Sequence, residues 1–318
     1  MVPTDLILAG AVLLLALAVD RLIGDPHSAY HPVALLGRFI GWWGRPARYS
    51  PCVQRAAGVF FWLVTVCVFT LPFFLFGTYS PWLVFLIGAP FLLKCCFAWR
   101  SLEEHALGVV AALEDGVDAG RERVKLMVSR ETAQLDAEHI RSAAYESMTE
   151  NLTDSIVSPL FYFALLSLFG LGLLGAAVFR AANTMDAMLG YRDERARLGW
   201  FSAWMDDVLN YIPARITVFF LMAWFLTRGT FTSAWRVMRR DGKKRPGFNG
   251  GIVMAAMAGG CGIRFDKPGV YTIGDTDRSL EMGGPAIVSA VRAVTLSFAA
   301  IAAATLILLA WLIHSTGI

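Results

Sequence analysis

Apolar runs alternate with polar segments along the whole chain. The runs are Leu6–Val19, Val59–Phe76, Trp82–Leu93, Ile156–Phe179, Ile216–Leu226 and Pro285–Ile313. Such runs predict membrane helices, which usually need ~20 apolar residues. Leu6–Val19 is shorter, and Leu22 and Ile23 extend it only where Asp20 and Arg21 face protein or snorkel. It lacks a basic leader and a small-residue cleavage pattern, so it reads as a retained membrane segment. The stretch from Gly77 to Pro81 is a turn signal, predicting a helical hairpin from the second and third runs. Gly170, Gly172 and Gly175 interrupt Ile156–Phe179. That run therefore reads as two half-helices in a re-entrant hairpin, which membranes tolerate where irregular backbone lines a protein cavity. The predicted class is an all-α integral membrane protein with four to six membrane segments. It forms one polytopic domain over residues 1–318, with 94–155 as a mostly helical polar cytoplasmic segment.

Composition agrees: 56% of residues are hydrophobic and the mean hydropathy is +0.55. The net charge of +3 is too small to suggest nucleic-acid binding by charge alone. Five cysteines show no CxxC pattern, so neither a zinc site nor a disulfide framework is expected. Segments 20–58, 94–155, 180–211 and 228–284 hold every lysine and arginine except Arg215 and Arg292. Basic segments favour the cytoplasmic side, which gathers these four on one face of the bilayer.

The candidate chemistry lies between Glu146 and Arg215. Ionisable groups at a bilayer are expensive and mark functional sites by default. Glu146, Glu150 and Asp154 recur every four residues and share one helical face. Asp136, three residues before His139, is a candidate cap for that helix. A carboxylate stripe is most often a solvated face, but this one runs directly into an apolar segment. Hard oxygen ligands at this spacing suit Mg²⁺, held by one or two carboxylates plus substrate phosphates. Asn183 with Asp186, and Asp207 with Asn210, are pairs three apart, each facing one side of a helix; they suit a metal or amine site, or helix capping. Arg130, Arg180, Arg192 and Arg215 are candidate anion clamps, since guanidinium offers a planar fork; snorkelling is the plain alternative. His27 and His31 are four apart, but Pro26 and Pro32 argue against a regular helix there. A shaped loop presenting His31 and Asp25 to a pocket fits better. Asn249-Gly250-Gly251 and the glycines around Cys261 match no nucleotide-binding motif and suit close helix packing.

Longer runs carry a resemblance. Phe179 to Arg192 resembles YRAxNTLDxMxGY, Glu146 to Phe161 resembles ESxAENxSDxxxAPLF, and the run ending at Arg215 resembles DDxxNxxPAR. These are signatures of the CbiB/CobD family of cobalamin-biosynthesis proteins, the adenosylcobinamide-phosphate synthases. Gly24, Asp25, His31, Pro32 and Gly37 fit its N-terminal pattern; Asn249 through Gly262, with Gly269 and Tyr271, fit its C-terminal one. The resemblance covers nearly the whole chain. Leu152, Ser155 and the run Val128 to Thr132 depart from it without removing a charged group.

The resemblance implies an ATP- and Mg²⁺-dependent ligase. Its partners would be adenosylcobyric acid, a phosphorylated amino alcohol (aminopropanol or ethanolamine phosphate) and the lipid bilayer. It leaves room for association with other late corrinoid enzymes, and does not set the oligomeric state. Glu150, Asp154, Asp186 and Arg215 would take catalytic roles. Arg130, Arg180, Asn183, Arg192, Asp207, Asn210, His31 and Asn249 would bind ATP or substrate. Glu146, Glu150 and Asp154 would hold the Mg²⁺. A corrinoid transporter and a membrane scaffold are the rival classes; no internal repeat supports the transporter. The topology is testable with labels at residues 190 and 245. Both should react only from the cytoplasmic side, and reaction only from outside the cell would overturn it.

Overall fold

The computed structural model describes residues 3–25, 31–128 and 131–316. Among them are thirteen α-helices. They are α1 Pro3–Leu22, α2 Pro32–Trp43, α3 Gln54–Tyr79, α4 Trp82–Lys94, α5 Arg100–Ala112, α6 Val117–Val124 and α7 Ala137–Leu152. After them come α8 Ser158–Ser167, α9 Gly172–Leu189, α10 Trp200–Thr227, α11 Phe231–Asp241, α12 Gly250–Cys261 and α13 Leu280–Thr316. Two short strands, β1 Arg264–Lys267 and β2 Tyr271–Gly274, pair antiparallel. The chain divides into two compact units.

The first unit comprises Met1–Ala98, Ser158–Asn210 and Ala299–Ile318. Here α1 packs on α4 and α8, and α3 packs on α9. The expected hairpin is present as α3 and α4, with Phe76 and Phe85 stacked beside its turn. The glycine-interrupted run also becomes a helical hairpin, α8–α9. Gly170 takes a positive φ of 74°, and the Leu171 N–H closes the turn onto the Leu166 carbonyl at 2.9 Å. A Cβ at Gly175 would sit 2.4 Å from the Tyr162 carbonyl oxygen, so only glycine lets the two helices meet this closely. The core centres on Trp43, Trp62, Met185 and Leu198. The Trp43 indole donates to Thr65 Oγ1 at 3.1 Å, meeting its one polar need.

The second unit comprises Trp99–Val157 and Tyr211–Phe298. α5, α6 and α7 pack around Val109, Val124, Ile140 and Ala143. α12 is almost wholly buried and packs against α11 and α7. The β-hairpin lies on α7 and α12, in the register Phe265↔Ile273 and Asp266↔Thr272. Buried Asp241, at the end of α11, ties the hairpin down by accepting from the Gly274 N–H at 2.9 Å. Burial alone would raise its pKa, but Arg240, Lys244 and the Gly274 N–H hold it below the usual carboxylate range. Arg292, the one cation in the last apolar run, makes a two-pronged pair with buried Glu103 of α5.

The fold is that of an all-α, multi-pass membrane protein. Among the described residues three helices are long and apolar enough to cross a bilayer: Gln54–Tyr79, Trp200–Thr227 and Leu280–Thr316. Trp82–Lys94 and Gly250–Cys261 are shorter apolar helices. Exposed Phe60, Leu63, Val68 and Leu71 line α3, and Ile301, Leu308 and Trp311 line α13, as lipid-facing positions require. Ile216–Leu226, a short run in the sequence, is the last part of the 28-residue α10. The helix continues through Pro213 and carries Asp206, Asp207 and Asn210 upstream. None of the five cysteines is in a disulfide. The small β-hairpin is an addition to the helical expectation. Its strands of four residues are too short to show an alternation against their surroundings.

Candidate functional site

α7 begins as the sequence suggests: Asp136 accepts from the His139 N–H at 2.9 Å. That bond, with the His139 side chain, lowers the Asp136 pKa. One face of the helix then presents the acidic stripe. Glu146 is buried, with 4% of its surface exposed. It accepts from Ser142 Oγ at 2.5 Å and from the Tyr271 hydroxyl at 2.8 Å. Burial, then the Glu146 charge, push the Tyr271 hydroxyl well above the usual phenol range, so it stays a donor. Glu150, one turn on, is ion-paired with Arg245. Burial works against the Arg245 charge, but Glu150, Tyr271 and Asp154 outweigh it and its pKa is raised. Asp154 lies in a five-residue π-helical segment, Thr153–Val157. Such wide turns recur at functional sites, and here Thr153 Oγ1 donates to Thr217 Oγ1 at 3.2 Å.

This differs from a metal cage. Among the described residues no three His, Cys, Asp or Glu side chains converge where an ion could sit. Glu146 is occupied by Ser142 and Tyr271, and Glu150 by Arg245. Arg215 is likewise engaged by its own unit. It lies over the Tyr211 ring at 3.6 Å and donates to Asn249 Oδ1 at 2.7 Å and to the Phe248 and Tyr211 carbonyls. It therefore holds the start of α12, whose N-cap is Asn249.

A second polar network belongs to the first unit. Asp206, not Asp207, is its hub. Asn183 Nδ2 donates to Asp206 Oδ1 at 3.1 Å, and Asn210 Nδ2 to Asp206 Oδ2 at 2.9 Å. Ser158 Oγ donates to Asn210 Oδ1 at 2.6 Å. The three-apart pairing of Asp207 with Asn210 gives way to a four-apart bond with Asp206, the closer match to one helical turn. Asp186 is close enough to act electrostatically on Asp206.

His31, also in this unit, caps α2, with Nδ1 accepting from the Val33 N–H at 3.2 Å. The ring proton is thereby assigned to Nε2, 3.8 Å from Asp25 Oδ1. Burial lowers the His31 pKa; Arg180 and Lys94 add to this and Asp25 opposes it. The ring is thus neutral at pH 7. Beside it, buried Lys94 bridges Asp20 at 3.0 Å and Asp25 at 2.5 Å. Arg192 is exposed in the loop after α9. His27 and Arg130 lie outside the described residues. Sequence reasoning missed Lys94 and Arg245, and named Tyr271 only as part of the C-terminal pattern, without a site role. A lysine closing an apolar run was the only signal for Lys94, and the other two sit in unremarkable polar surroundings.

A family profile described as CobD/Cbib protein matches residues 13–313. The chain belongs to the CobD/CbiB family. The probable cobalamin biosynthesis protein CobD of Methanothermobacter thermautotrophicus is 40% identical over 83% of this chain and 86% of its own length. That of Thermococcus kodakarensis is 42% identical over 81% and 83%. The cobalamin biosynthesis protein CobD of Pelobacter propionicus is 38% identical over 94% and 95%. No solved structure matches. For this CobD/CbiB member, the Glu146–Tyr271 bond should carry measurable coupling. In a double-mutant cycle of Glu146→Gln and Tyr271→Phe, thermal unfolding in detergent should give a coupling of roughly 1.5–3 kcal/mol, typical of a hydrogen bond to a charged group. Additive effects would contradict the network.

Proposed function

We propose that this chain is an ATP-dependent amide ligase. It joins the free propionate carboxylate of adenosylcobyric acid to (R)-1-aminopropan-2-ol O-phosphate, or to ethanolamine phosphate, giving adenosylcobinamide phosphate. The observation that carries this reading is the α7 network, where Glu150 pairs with Arg245 and Asp154, on the π-helical turn that follows, acts electrostatically on the same guanidinium, in a chain of a cobalamin-biosynthesis family. Carboxylates and arginine side by side suit a reaction that moves a phosphoryl group and then a proton. The site is proposed to face the cytoplasm, where ATP is supplied.

A carboxylate is a poor electrophile, so activation comes first. Its oxygen attacks the γ-phosphorus of ATP, the bond to ADP breaks, and an acyl phosphate results. The amine then attacks the acyl carbon, and phosphate leaves with the former carboxylate oxygen. One proton leaves the nitrogen; Asp154 and Asp186 are the candidate bases. Arginines stabilise the charge that develops on the transferred phosphoryl group; Arg245 takes this role beside Glu150. The donor set does not fit a resident all-protein Mg²⁺ cage. It does fit the commoner mode, in which nucleotide phosphates supply most ligands and one or two carboxylates the rest. Asp154, with Glu150, would hold such an ion, which would neutralise phosphate charge.

The test is an assay of the detergent-solubilised chain with adenosylcobyric acid, the phosphoamine, ATP and Mg²⁺. Amide and ADP should form together. Asp154→Asn should slow both by about 10²–10⁴-fold, the usual worth of a proton-transfer group. Neither product from folded protein would overturn the ligase reading, and an unaffected variant would remove Asp154 from it.

A further inference from the structure

The ligase reading needs a place for the phosphorylated amine. Resting on it, we propose that this place is the cleft beside the β-hairpin of the second unit. The cleft holds about 370 Å³, within the range of small-molecule sites. Arg264, Arg278, Thr276 and Ser279 line it, together with Glu138, Asp266 and His139, whose Nε2 lies 3.9 Å from Asp266 Oδ2. Its charges are therefore mixed, and that is what selects the ligand class. A simple anion would gain from the arginines but be repelled by the two carboxylates. A simple amine would meet the reverse. A short zwitterion, with phosphate at one end and ammonium at the other, satisfies both.

The backbone separates the two charges. Phe265 is fully buried, and strand side chains alternate between faces. Arg264 and Asp266 therefore project from the same face of β1, about 7 Å apart along the strand. Arg264, Arg278 and Glu138 have no ion-pair partner among the described residues, so their charges are available to a ligand. Ser279 adds to the anion side. Its hydroxyl accepts from the Met282 N–H at 3.3 Å, at the start of the 37-residue α13, where the helix dipole is positive.

The cleft also connects to the α7 network. Ser142 lines it and is itself buried. Its oxygen accepts from the Asp266 N–H at 2.8 Å and donates to Glu146 at 2.5 Å. A ligand that draws on Asp266 is one hydrogen-bonded residue from Glu146 and, through it, Tyr271. Glu138 and Asp266 are thus assigned to the ammonium, and Arg264 and Arg278 to the phosphate.

Calorimetric titration of the full solubilised chain tests this, with (R)-1-aminopropan-2-ol O-phosphate, inorganic phosphate and Mg·ATP as separate probes. Arg264→Gln should weaken the phosphoamine and inorganic phosphate alike, by about tenfold or more, as for a lost charge-assisted hydrogen bond. Glu138→Gln should weaken the phosphoamine about tenfold and should not weaken inorganic phosphate, since only the zwitterion has an ammonium to lose while a bare anion is relieved of a repelling carboxylate. Mg·ATP should not displace the phosphoamine. Absence of wild-type binding, displacement by Mg·ATP, or unchanged affinities in both variants would overturn the assignment. Amide formation is followed in parallel. Wild-type turnover with an unchanged amine KM in both variants removes the cleft and leaves the ligase. Binding that follows the expected pattern, without turnover, does the opposite.

Discussion

Everything in this molecule turns on one constraint: a polar group withdrawn from water must find a partner inside the protein. The chain is more than half apolar, yet it buries Asp20, Lys94, Glu103, Glu146, Asp206 and Asp241. Each is met by a specific donor or acceptor. Lys94 lies between Asp20 and Asp25, Glu103 takes Arg292, and Asp241 gathers Arg240, Lys244 and the Gly274 N–H. Removing one partner from such a set costs roughly 3–5 kcal/mol, because it strands a buried charge. These pairs therefore fix which helices can be neighbours within each unit, and not merely how tightly they pack.

The same constraint shapes the chemistry. Glu146 and Glu150 are one helical turn apart and chemically alike, but their neighbours separate their roles. Glu146 is held by two neutral hydroxyls, Glu150 by a guanidinium. The first is a structural anchor connecting α7 to the hairpin, and the second an ion pair that holds Arg245 against α7. Asp154 lies one turn further on, in the π-helical segment Thr153–Val157. In the first unit, Asp206 is fixed from both sides by carboxamides, with Asp186 as its acidic neighbour.

Much of this was legible in the residues, for physical reasons. Apolar runs announce membrane helices because nothing else satisfies their backbone in lipid. Gly170 announced a turn inside Ile156–Phe179, and Asp136 announced a helix start. The acidic stripe was visible because its spacing matches the helical period. Other features were hidden. Pro213 and the polar residues before it masked a single long α10. Asp207 looked the better partner for Asn210 until the helix showed Asp206 one full turn away. Tyr271 and Arg245 reach α7 from about a hundred residues downstream, and no local pattern reports a pairing made by tertiary contact. Sequence could not show that Arg215 donates to the Tyr211 and Phe248 carbonyls and to Asn249.

The central claim is that a carboxylate is activated by phosphorylation before the amine attacks. Isotope transfer tests this most directly. Adenosylcobyric acid carrying ¹⁸O in its free carboxylate would be turned over with ATP and the phosphoamine, and the released phosphate analysed by mass. The account predicts ADP as the nucleotide product and one ¹⁸O atom in each inorganic phosphate formed. Unlabelled phosphate, or AMP with pyrophosphate carrying no label, would contradict it.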